Sequence, residues 1–354
     1  MKFKPEKENV PLYVFSVAIG IVIIIVVGQT AAMTIAYLTG HEITVTDRTA
    51  DRSSMYIPTA SHKRIQTRQI SLTVSDFDLI YSSNLTIPIT AELARQFVGN
   101  DVSQYFDYRN NSRYAKNAYL DMMNTGKDGY RKTCLLFTDE PPETKKDLTD
   151  FDKFTFESQP IAIDCIAFIT HKDNPVDSIT AEQARKIYSG KITNWKKVGG
   201  KNKKIIFYQR GGLYRGSSLY ETMSGLVMNG APMAESPESY YAYKQDKGGG
   251  FSRHHYIAEY ENRTNSIGYA NLYYINTLYN REDIKVLKID GVSPDNENLI
   301  SGAYPFTDTY YAVTIDSDDE NFLKMRELRD YLLTDEGQRI IEMSGLCPVR
   351  ALEG

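Results

Sequence analysis

The sequence predicts an α/β fold carried behind one apolar helix, on three observations. From about Gln69 onward, strand-like and helix-like segments alternate, which is the mark of an α/β layer structure. At 354 residues the chain has room for one two-lobed domain or two small ones, each with its own core. Ahead of these segments, no charged residue occurs between Glu8 and His41.

That apolar stretch, read as residues 11–39, exceeds the roughly 20 residues a helix needs to cross a bilayer. Lys2, Lys4 and Lys7 precede it. The positive-inside bias therefore places residues 1–10 in the cytoplasm and the C-terminal part outside the cell membrane. The stretch reads as an uncleaved, single-pass signal-anchor. A signal peptide cleaved near Ala31-Ala32 stays open as the alternative, although such peptides have an apolar core of only about 7–15 residues. Residues 40–68 are polar and aperiodic and read as a tether.

Beyond the tether, strands are expected at 76–81, 103–108, 132–137, 160–169, 204–209, 284–289 and 308–315. Helices are expected at 88–98, 113–124, 180–189, 217–229, 252–261, 318–333 and 335–344. Pro88 suits a first helical position, because its missing N–H has no partner there, and Thr86 or Ile87 then falls at the cap. The 180–189 helix is the best signalled. Thr180 and Gln183 have capping-box spacing, Ala181, Ala184 and Ile187 share one face, and Gly190 suits the closing turn.

Composition removes several function classes. Lys+Arg total 41 against 45 for Asp+Glu, a net charge of -4, so the chain has no basic excess for nucleic acid. Of five histidines, His254 and His255 are adjacent and would diverge on a helix. With no HExxH spacing either, no metal site is expected. Gly248, Gly249 and Gly250 are followed by no Gly-Lys-Ser/Thr, so they are not a phosphate loop of the kinase kind. No GxSxG elbow occurs; no catalytic residue and no cofactor are assigned. The three cysteines are Cys134, Cys165 and Cys347. Cys134 and Cys165 sit among apolar neighbours and read as small buried hydrophobes, while a disulfide between them stays open.

The stretch Ile161–Arg210 carries the most information. It reads as a strand, a loop, the capped helix, a second loop and a strand ending on Arg210, with Gly216-Ser217-Ser218 then opening a helix. An arginine beside a helix N-terminus is a natural oxyanion site. Two other helix starts share this chemistry: Ser82-Ser83-Asn84-Leu85-Thr86-Ile87-Pro88 and Asn110-Asn111-Ser112-Arg113. Each offers backbone N–H groups, a hydroxyl and the positive end of a helix dipole. Taken singly, such a hydroxyl residue is a cap and nothing more.

The phrases NPVDSIT, IYSGKITNWK, VGG and QR, then SIGYA (266–270), IDGVSPDNENLISGAYPF (289–306) and TDEGQRIIEMSG (334–345), closely resemble the phosphate-binding proteins of bacterial ABC importers. Those proteins belong to the type II periplasmic-binding-protein superfamily. The resemblance implies a two-lobed type II fold whose hinge the chain crosses twice. Residues 69–165 and 306–354 would form lobe 1, and 166–305 lobe 2, with the ligand between them. It further implies Thr86 and Ile87 in a first ligand loop, Ser112 in a second, Asp139 in a third, and Arg210, Gly216 and Ser217 in a fourth. A carboxylate such as Asp139 accepts a hydrogen bond from the P–OH of protonated phosphate and repels fully ionised sulfate. Its plainer reading is a helix N-cap before Pro141-Pro142, and that of Arg210 is a surface ion pair.

The sequence departs from the family's pattern in the fourth loop. That loop is lengthened to GGLYRGSS, with Arg215 where a serine is expected and Gly212 in place of a carboxylate. The function implied is a non-enzymatic, membrane-anchored, monomeric solute-binding protein that passes phosphate or a related anion to an ABC permease. A sensor or receptor ectodomain with another small ligand is the alternative.

Overall fold

The computed structural model describes residues 70–83, 85–99, 115–125, 127, 132–209, 218–234, 263–277 and 282–352. The span read at 11–39, the tether, and the expected elements at 103–108 and 252–261 lie outside the described residues. Among the described residues, no helix is long and apolar enough to cross a membrane.

The strands form one mixed sheet system. They are β1 (Ile80–Ser82), β2 (Leu135–Thr138), β3 (Phe156–His171), β4 (Ser178–Ile179), β5 (Ile206–Phe207), β6 (Ser266–Asn271), β7 (Ile284–Ile289), β8 (Thr307–Ile315) and β9 (Cys347–Pro348). The principal order is β1-β2-β8-β3-β6-β5. The β1/β2, β5/β6 and β4/β7 pairs are parallel; β8 is antiparallel to both β2 and β3. The helices are α1 (Ile87–Phe97), α2 (Ala115–Met123), α3 (Ala181–Tyr188), α4 (Ser218–Thr222), α5 (Leu272–Thr277), α6 (Asn296–Ile300), α7 (Glu320–Tyr331) and α8 (Asp335–Met343).

Strand β3 organises the whole. Its residues Phe156–Cys165 pair with β8, whereas Ile166–His171 pair with β6 and β7. The changeover falls between Cys165 and Ile166. A bulge at Pro160–Ala162 interrupts the β8 ladder, at a proline that has no N–H to give it.

Two hydrophobic cores follow this division. One gathers Ile80, Ile89, Leu93, Tyr119, Phe137, Val313, Leu328 and Ile340. The other gathers Phe168, Ile187, Trp195, Met223, Ile267, Leu287 and Phe306. The short strand β2 is buried at all four residues, as suits a strand covered on both faces.

Local signals explain most boundaries. The Thr180 hydroxyl accepts from Gln183 N–H at 3.0 Å and the Gln183 side-chain Oε1 accepts from Thr180 N–H at 2.8 Å, which starts α3 as a capping box. Gly190, at φ 75°, adopts the left-handed turn past its end. The strand expected at 76–81 begins only at Ile80. Thr73 and Asp76 close a reciprocal cap (Thr73 N–H to Asp76 at 2.6 Å), and Val74–Leu79 winds as a 3-10 turn instead. The helix expected at 217–229 is short: α4 passes into a π-turn at Met223–Val227. All three cysteines are free thiols and buried, so Cys134 and Cys165 are not disulfide-bonded. Cys134 packs in the first core and Cys165 in the second.

Candidate functional site

Two parallel strands end side by side. Ser82, the last residue of β1, is the Cα partner of Phe137 in β2. In open α/β sheets, ligands settle beyond the carboxyl ends of such strands. Beyond β1, Ser83, Leu85 and Thr86 lead into α1, and beyond β2 the chain passes through Asp139.

Hydrogen bonds fasten the two loops together. The carbonyl of Phe137 accepts from Ser83 N–H at 2.9 Å and from the Thr86 hydroxyl at 2.8 Å. Thr86, fully buried, occupies the N-cap position of α1 but makes no side-chain cap bond. Its N–H and that of Ile87 both donate to the Ser83 carbonyl, at 3.0 and 3.2 Å. The helix therefore starts one residue earlier than expected, with Ile87 first and Pro88 second. Here the Thr86 hydroxyl spends its proton on β2, so it pins the loop.

Asp139 is the chemically unusual member. Its Oδ1 is buried without a hydrogen-bond partner. Burial pushes the carboxyl up from its ordinary range and Glu140 adds to this, while its own N–H, the Ser83 hydroxyl and Lys145 act in the opposite direction. The N-cap reading of Asp139 is not met: the 3-10 turn Pro142–Lys145 has Pro141 at its cap and no side-chain cap bond. From α2, the Tyr119 hydroxyl donates to the Glu140 carbonyl at 2.8 Å and fixes the far side of this loop. Lys145 forms an ion pair with Glu140.

Of the residues read from the sequence, Thr86, Ile87 and Asp139 come together at this strand edge. Ser112, Arg210, Gly216 and Ser217 lie outside the described residues. Sequence reasoning missed Ser83 as a partner of Asp139, and it missed a buried polar group two strands further on. There, Asp164 of β3 accepts from Cys165 N–H at 2.8 Å, Tyr273 N–H at 3.2 Å and the Tyr310 hydroxyl at 3.2 Å. Burial raises its carboxyl to about 6 against the pull of these donors. The only hint was an aspartate in each of two apolar strands. Among the described residues, no group of three or more His, Cys, Asp or Glu is arranged to hold a metal ion.

A family model described as a PBP superfamily domain matches residues 134–336. The chain belongs to the PBP superfamily. Within the matched PBP domain lie Asp139, β3 and β8. Among curated relatives, the phosphate-binding protein PstS of Borreliella burgdorferi is 26% identical over 189 residues, covering 53% of this chain and 64% of that protein. PstS of Bacillus subtilis is 26% identical over 183 residues, covering 50% of this chain and 55% of that protein. The chain thus spans less than two thirds of either relative. Among solved structures, an ABC-type phosphate transport receptor from Vibrio cholerae matches at 18% identity and TM-score 0.49, covering 76% of this chain and 99% of that one. PstS from Borrelia burgdorferi matches at 19% and 0.43, covering 77% and 99%.

Proposed function

We propose that this PBP-superfamily chain is a non-enzymatic, extracytoplasmic solute-binding protein that captures inorganic phosphate and delivers it to an ABC permease. The span 11–39 anchors it in the cell membrane as a monomer. Residues 69–165 with 306–354 form one lobe and 166–305 the other; the changeover within β3 supports this division, as do the two cores apart from Tyr273 and Tyr274 in the first and Cys165, Phe306 and Cys347 in the second. The curated relatives named as phosphate-binding proteins support the ligand.

The observation that carries the reading is Asp139 Oδ1, buried and unpartnered beside the Ser83–Thr86 loop. One proton bridges this oxygen and a bound anion. Phosphate near neutral pH brings that proton with it, whereas sulfate needs it already in place on Asp139. Arg210, with Ser112, Gly216 and Ser217, completes the anion's shell, and Thr86 and Ile87 shape the first loop. Removing the anion from water costs far less when every oxygen meets a donor, and lobe closure completes the enclosure.

Equilibrium dialysis of the full chain against labelled phosphate tests this. Saturable retention that Arg210→Gln abolishes, with displacement by excess sulfate weakening as rising pH strips the proton from Asp139, is the expected result. Phosphate passing through the wild-type chain unretained would remove the reading.

A further inference from the structure

Asp308, at the start of β8, is the strongest polar feature the functional reading leaves unused. It is the direct Cα partner of Asp164 in the antiparallel β3/β8 ladder, so both carboxyls project from the same face. Tyr310, two residues along β8, shares that face and donates its hydroxyl to Asp164 Oδ2 at 3.2 Å. Thr138 is the Cα partner of Tyr311, which sets the next residue, Asp139, beside Tyr310. Three aspartates from β2's end, β3 and β8 therefore crowd one buried patch.

Asp164 has donors on both oxygens, whereas the other two aspartates each leave one oxygen bare. Asp308 Oδ2 and Asp139 Oδ1 are both buried without a hydrogen-bond partner. A third acceptor points to the same need. Asn271 of β6 is fully buried and uses Nδ2 on the Tyr310 hydroxyl at 3.3 Å, yet its Oδ1 has no partner. Acceptors collected in this way call for protons.

We propose that Asp308 is a specificity-determining positioning residue, which acts through Asp139 to set how many protons the anion site holds. The inference rests on the phosphate reading above. Buried like charges this close cannot all ionise, so Asp139 and Asp308 share the burden. Burial and then the charges of Asp139 and Asp164 raise the Asp308 carboxyl well above its usual range, with only its neighbour's Thr309 N–H acting against them. Around it stand Asp139 after β2, Asp164 and Cys165 on β3, and Tyr310 and Tyr311 on β8. Glu140 and Lys145 act on Asp139. When a phosphate dianion enters beside Asp139, an ionised Asp308 would repel it, so binding draws a further proton onto this pair.

Calorimetric titration of the full chain with phosphate, from pH 6 to 9 in buffers of differing ionisation enthalpy, tests the claim. Wild type is expected to take up about one more proton per phosphate than Asp308→Asn at alkaline pH. Its affinity should also fall up to about tenfold more per pH unit, the dependence that one linked proton produces. Asp308→Glu should restore the wild-type uptake, and Asp308→Ser makes the same comparison should the amide variant fail to fold. Equal uptake and parallel pH profiles overturn the role of Asp308 and leave the phosphate reading standing. No heat from wild type at any pH removes the phosphate reading and this inference with it.

Discussion

Asp164 and Asp308 face each other across β3 and β8 as direct cross-strand partners, in the strand where one sheet environment gives way to the next. Opposed like charges weaken a sheet pair. Here most of the donors gather on one side: Asp164 receives two backbone N–H groups and a tyrosine hydroxyl.

Asp164 gives stability a pH dependence of definite sign. Its carboxyl lies at about 6 in the folded chain, above its ordinary 3.8, so the folded state holds the proton more tightly. The stability this contributes is present below about pH 4 and lost as pH rises through about 6. That displacement corresponds to about 3 kcal/mol. Asp164→Asn keeps an acceptor for the Cys165 and Tyr273 N–H groups and cannot ionise. Urea denaturation should show the variant gaining up to about 3 kcal/mol on wild type between pH 4 and 7; parallel curves would refute this.

Thr86→Val removes a buried hydroxyl without changing side-chain shape. The Phe137 carbonyl keeps its bond from Ser83 N–H, so the cost should stay near about 1 kcal/mol of stability. Because the hydroxyl points at Phe137, phosphate affinity should fall by less than about tenfold, on the same scale. A complete loss of binding with unchanged stability would show that the hydroxyl meets the ligand directly.

Gly337 of α8 lies tight against the end of α7. A Cβ there would lie 2.2 Å from the Tyr331 carbonyl oxygen and 2.5 Å from Leu332 Cα. These are backbone atoms and cannot rotate aside. Gly337→Ala should cost about 1–3 kcal/mol by chemical denaturation, and an unchanged midpoint would contradict the close approach.

The three thiols should be silent in the native chain. Burial raises Cys134 and Cys347 to about 12 and Cys165 well above its usual range. Thiolate is the reactive form, so a thiol reagent at pH 8 should label none of them until denaturant is added and then label all three. Reductant should leave the melting temperature unchanged.

Local chemistry was legible where it was self-contained. The Thr180/Gln183 cap and the strand at 284–289 could be read directly, because the residues that decide them are neighbours in sequence. Residues 76–79 of the strand expected at 76–81 wind into a 3-10 turn because the Thr73–Asp76 reciprocal bond outweighs their strand pattern. Strand β6 was missed as an element. Its six residues are all buried, and SIGYAN has no alternation to betray it. At the candidate site, Asp139 was found through resemblance. Asp308 and Asp164 were invisible because 144 positions separate them, and only the β3/β8 register brings their carboxyls to one face.

The most direct test of the account is a crystal structure of the full chain grown with phosphate. Tetrahedral density is expected at the ends of β1 and β2, bounded by Asp139, Ser83, Thr86, Ile87 and Arg210. Density lodged elsewhere, or an Arg210 turned away to solvent with phosphate bound, would contradict it.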